Sequence, residues 1–90
     1  MENVISFKSY YTTKLILNLK EFAGRLLNFK HSCVGNKEKT ASFENGLNAL
    51  KCLEQSIICY DNNDLDGFNK QRIKASEIIN NDQNLRKYSR

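Results

Sequence analysis

The residues able to do chemistry are few: one histidine, His31, and three cysteines, Cys33, Cys52 and Cys59. His31 and Cys33 stand two apart in the chain, and Cys52 and Cys59 stand seven apart, which is roughly 10 Å along a helix. Neither is a usual zinc-ligand spacing. A cysteine nucleophile needs an activating base beside its thiol, and the single histidine has no identifiable third member to complete such a set. Asp61, Asp64 and Asp66 fall in a segment of the right composition for calcium, yet the EF-hand succession of ligands and its closing glutamate are missing. The expectation is therefore a non-enzyme with no catalytic residue, no metal ligands and no cofactor.

Two segments resemble known families. His31-Ser32-Cys33-Val34-Gly35 resembles the phosphoacceptor segment of histidine phosphotransfer domains, in which a glycine follows the histidine by four on a helical-bundle surface. That resemblance implies phosphotransfer at His31, with Val34 standing where the family carries a lysine. Asp64, Asn69 and then Lys74-Ala75-Ser76-Glu77-Ile78-Ile79 resemble a helix of flagellin export chaperones. Those proteins are helical bundles that sequester a secreted subunit, so the likeness implies capture of a partner by helices.

The elements that must position these residues follow from apolar spacing. Leu15, Leu19, Phe22, Leu26, Phe29 and Cys33 recur at steps of four and three, which places them along one side of a helix and cannot serve a strand. Gly35 lies just past the last of them, where helix C-termini favour glycine. A second helix follows a loop around Lys37 to Thr40, with Phe43, Gly46, Leu47, Leu50, Leu53, Ile57 and Tyr60 on its buried side. Asp61-Asn62-Asn63-Asp64 supplies short polar side chains that compete for backbone hydrogen bonds and break the helix. A third helix then carries Leu65, Phe68, Ala75, Ile78 and Ile79, with Asn63 as its cap. The predicted helices run over about 9–33, 40–61 and 64–80, and residues 81–90 are expected either to add a ragged turn or two or to trail off as a frayed basic tail. The whole chain, 1–90, reads as one all-α domain, a small antiparallel three-helix bundle.

At 100° per residue, Leu15, Ile16, Leu19, Phe22, Ala23, Leu26, Leu27 and Phe29 fill an arc of roughly 160° on the first helix. That is wider than a two-stranded seam needs, so the helix is expected to touch two neighbours. A compact monomeric bundle and a hairpin completed by a second copy both meet that condition.

Surfaces left over are the candidates for function. On the second helix Ala41, Asn45, Asn48, Cys52, Ser56 and Cys59 make a strip of small, uncharged residues. Depletion of charge suits a contact surface, for the bundle's own third helix or for another protein. Leu17 and Ile73 lie off their stripes, and would form a binding patch if they were adjacent. The net charge is +4, and Lys70, Lys74, Arg86, Lys87 and Arg90 are the candidates for an alternative nucleic-acid contact.

Ninety residues suffice for one core and leave little for a deep pocket. With 40% hydrophobic and 27% charged residues, the composition is that of an ordered globular chain. The apolar run around Leu15 to Leu19 is far too short to span a membrane, and Glu2 stands where a signal peptide carries positive charge. Three cysteines without short paired spacing fit reduced thiols, so a cytoplasmic location is expected. The Asn-, Ile- and Lys-rich, proline-free composition suits an AT-rich genome such as that of a phage or mobile element. The functional expectation is a helical module that binds another protein, or itself as a homodimer, as an inhibitor, adaptor or chaperone-like factor. Nucleic-acid regulation is the alternative, and phosphotransfer at His31 the remote one.

Overall fold

The computed structural model describes residues 2–88, with side chains from Tyr10 to Lys87. Four helices account for them: α1 (Glu2–Ser32), α2 (Lys37–Asp61), α3 (Leu65–Asn80) and α4 (Gln83–Tyr88). No strand occurs among the described residues. α2 is the shared wall of the bundle. α1 packs along it antiparallel, α3 packs against it more closely still, and the backbones of α1 and α3 stay apart. The molecule measures 54 × 22 × 17 Å, and its long dimension follows from α1, whose 31 residues span about 46 Å at 1.5 Å per residue.

Local chemistry explains each boundary. α1 ends as expected, with Gly35 at a φ of +74°, a conformation that costs glycine nothing. α2 begins at Lys37, three residues earlier than the pattern suggested, because the Asn36 side chain accepts from the Lys39 amide at 3.0 Å and caps the helix. The Thr40 hydroxyl donates to the Asn36 carbonyl at 2.9 Å and steadies the same turn. The cap of α3 is Asp64, not Asn63: its carboxylate accepts from the Gly67 amide at 3.0 Å. Asn63 instead takes a φ of 64° and closes α2. The Asn63 amide donates to the Tyr60 carbonyl and that of Asp64 to the Cys59 carbonyl, the paired bonds of a Schellman ending. Asparagine tolerates the left-handed region better than most residues, which decides which of the two does which task.

The expected frayed tail is in fact a docked helix. Leu85 of α4 is 1% exposed, set against α2 at Gly46, where an added Cβ would lie 3.1 Å from a Leu85 methyl and closer still to Leu26. Gly46 thus lets Leu26 of α1 and Leu85 of α4 meet over α2. The rest of the core is Phe29, Cys33, Ala49, Phe68 and Ala75, all buried. Cys33 also joins helix ends, its thiol donating to the Phe29 carbonyl at 3.3 Å and to that of Lys39 at 3.4 Å.

Asp82 holds α4 in place. Its carboxylate accepts from the Ser42 hydroxyl at 2.9 Å and from the Asn45 amide at 3.1 Å, both on α2. It also accepts from the backbone amides of Asn84 and Leu85 at 3.0 and 3.2 Å, capping α4. Partial burial pushes the carboxyl up, but the bonds from Asn45, Ser42, Leu85 and Asn84 together outweigh it and leave the group below its ordinary value of 3.8. Because the folded value is depressed, the stabilisation is full above pH 3.8 and is lost as pH falls through the folded value. Asp82→Ala is expected to cost about 2 kcal/mol at neutral pH, from one cap and two cross-helix bonds. Unfolding in urea at pH 7 and pH 3 checks it: the gap between wild type and variant must shrink at the lower pH.

Candidate functional site

The C-terminal half of the uncharged strip of α2 borders the seat of α3. Ser42, Ala49 and Ser56 are buried, and small side chains at those positions allow the two helices their close approach. Ser56 is only 2% exposed, its hydroxyl donating to the Leu53 carbonyl, so it offers almost no surface of its own. Cys59 faces Gly67 of α3, where a Cβ would lie 2.9 Å from its sulfur, and Cys52 is half-buried. Asn45 is committed to Asp82, while Ala41 and Asn48 remain exposed at the edge. Absence of charge at Ser56 and Cys59 therefore reflects helix packing within the chain. Leu17 and Ile73 are exposed on separate helices, α1 and α3.

The arc on α1 is covered on one side only. Leu26 and Phe29 are buried, whereas Ile16 and Leu27 are exposed, so the expected second long neighbour does not close over it. Leu47 on α2 and Leu65 on α3 are likewise more exposed than their stripes implied.

Since α1 and α3 both lean on α2 without touching backbones, a groove runs between them. Its walls are Leu15, Asn18 and Leu19 of α1 and Arg72 of α3, and its floor is Leu53, Ser56 and Ile57 of α2. One end is closed by stacked rings: Tyr11 meets Tyr60 at 5.0 Å and Tyr60 meets Phe68 at 5.1 Å. The Arg72 guanidinium lies over Phe68, 5.2 Å from the ring centre, which holds its charge at the rim. Lys14 is exposed one turn from Asn18 on the same side of α1. The cavity holds about 140 Å³, well below the few hundred Å³ of a typical metabolite site, and a size suited to apolar side chains of a partner.

A larger cleft of about 660 Å³ lies between the start of α2 and the α3–α4 turn, lined by Glu38, Ser42, Asp82 and Asn84 among others. Its central groups are already spent on one another: Asp82 accepts four bonds, and the Asn84 side chain donates to the Ser42 hydroxyl at 3.0 Å. That polar knot is structural.

The remaining sequence candidates separate in space. His31 is exposed in the last turn of α1, beside an exposed Val34. Among the described residues, no group of three His, Cys, Asp or Glu side chains could hold a metal ion, and no helix is long and apolar enough to cross a membrane. Lys70 and Lys74 are exposed one turn apart on α3, and Arg86 and Lys87 are exposed on α4; Arg90 lies outside the described residues. No protein-family model, no curated protein and no solved structure matches the chain. The groove must be interpreted on its own chemistry. Its apolar floor between helices, with a cation held at the rim, is a feature that sequence spacing could not reveal, because its three walls come from three different helices.

Proposed function

We propose that the chain is a non-enzymatic protein-binding module, an inhibitor, adaptor or chaperone-like factor, that receives an amphipathic helix of its partner between α1 and α3. The observation that carries this reading is the groove itself: Leu15, Leu19, Leu53 and Ile57 face a cleft that α1 and α3 leave open, with Arg72 at its edge. An amphipathic helix lays its apolar side into such a groove, and Arg72 and Lys14 favour one with acidic residues flanking that side. The reading includes a cytoplasmic location, where the free thiols of Cys33, Cys52 and Cys59 stay reduced, and a phage or mobile-element source.

Affinity capture from the source cell with wild type and Arg72→Glu tests it. Arg72 is exposed, so the reversal gives up its contact over the Phe68 ring but leaves the packed side chains in place, and far-UV circular dichroism verifies that. The expected result is loss of the captured protein with the variant, and an identical captured set would remove the groove from the reading. A nucleic-acid role through Lys70, Lys74, Arg86 and Lys87 draws support from the exposed pair on α3. It requires binding to DNA or RNA that falls steeply with salt, and salt-insensitive or absent binding would eliminate it.

A further inference from the structure

A second apolar surface lies on the opposite side of the α1–α2 hairpin from the groove. At 100° per residue, Ile16 and Leu27 fall about 160–180° round α1 from Asn18, which lines the groove. Ala23 lies on the same line, half-buried. On α2, Leu47 falls about 160° from the buried Ala49 that faces α3, with Ile58 exposed on nearly the same line, about 20° away, and Leu50 half-buried about 60° round toward α1. Neither α3 nor α4 reaches this side, and Leu27 is 61% exposed. An apolar line shared by two adjacent helices is half of a helix-bundle core.

The charges bordering this face identify its occupant. Along α1 they are basic, with Lys20 between Ile16 and Ala23 and Lys30 one turn beyond Leu27. Along α2 they are mainly acidic: Glu54 and Asp61 fall within about 40° of the Leu47 line, where they face the α1 of an opposing copy, and Glu44 and Lys51 flank its outer side. A surface with a basic α1 column and an acidic α2 column is complementary to itself after a half-turn. We propose that a second copy of this chain covers the face, making a four-helix core of two α1–α2 hairpins about a two-fold axis parallel to the helices.

The register supports that axis. Leu26 abuts Gly46, so α1 and α2 run past each other with Leu27 level with the turn of Leu47, Lys20 with that of Glu54 and Ile16 with that of Ile58. A two-fold axis along the helices keeps those levels and exchanges the columns. It sets α1 of one copy antiparallel to α2 of the other, as in up-down bundles. Leu27 then meets the other copy's Leu47, and Lys20 its Glu54. An isologous interface repeats each contact twice, so a single substitution is felt twice.

Analytical ultracentrifugation of the full chain at high micromolar concentration tests this, with circular dichroism confirming helicity for each variant. Wild type is expected to sediment at twice the 10.4 kDa chain mass. Leu27→Glu, at an exposed position, is expected to raise the dissociation constant by about 100-fold through two buried charges. Lys20→Glu weakens the dimer, and Lys20→Glu combined with Glu54→Lys restores it. Arg72→Glu leaves the mass unchanged, which separates this face from the groove. A monomeric wild type, a dimer indifferent to Leu27→Glu, a dimer broken by Arg72→Glu, or a monomer that uses Leu27 to hold a different protein would each overturn the proposal.

Discussion

Phe29→Ala is expected to cost about 3–5 kcal/mol, the usual range for emptying a buried aromatic site. Phe29 has no exposed surface, and its carbonyl also receives the Cys33 thiol and the Ser32 hydroxyl at 3.3 and 2.7 Å, so the end of α1 is organised around it. A 90-residue domain has about 5–13 kcal/mol of total stability, and this one divides a thin core among four helices. The variant should therefore lose about a quarter of its stability or more. Urea unfolding followed by circular dichroism gives the comparison, with Leu17→Ala as the exposed control, expected within about 0.5 kcal/mol of wild type. Equal midpoints for Phe29→Ala and wild type would mean that the core lies elsewhere.

Leu85→Ala should cost about 2–5 kcal/mol, a large effect for a residue six from the end of the chain. The reason is geometric. α4 has only six residues, too few to be stable alone, and the buried Leu85 meets Leu26 and Gly46 at the centre of the bundle. Removing that side chain leaves Asp82 to hold α4 from the surface. Amide hydrogen exchange should then show residues 83–88 opening while the middle of α2 stays protected. Were residues 81–90 a frayed tail, Leu85→Ala would be silent in both measurements.

These two variants mark the border between what was legible in the chain and what was not. Phe29 belongs to the α1 stripe, so its burial follows from periodicity. Leu85 stands alone in a polar segment, and one apolar residue has no period. The local clue was there in Asp82, a good cap residue three positions before it, but capping alone does not say that a helix docks. The α2 strip shows the converse difficulty. Ser56 and Cys59 are small and uncharged where α3 lies close, and Asn45 is bonded to Asp82, yet an external partner would select the same composition. Burial of Ser56 and the contact between Cys59 and Gly67 distinguish the two cases.

By itself the sequence determined what neighbours along the chain control. The 3.6-residue period established an all-α chain and the core side of α1, and the short polar and glycine residues set the breaks after Ser32 and Asp61, because caps and left-handed turns are made within a few residues. Tertiary structure alone decided which flank of the wide apolar arc is covered. Leu15 and Leu27 are chemically alike and both belong to that arc, yet one borders a groove with α3 and the other faces outward. Their difference depends on where a helix fifty residues later comes to rest, and that is settled by how closely Gly67 can approach Cys59 and by Leu85 seating on Gly46, contacts that no local pattern contains.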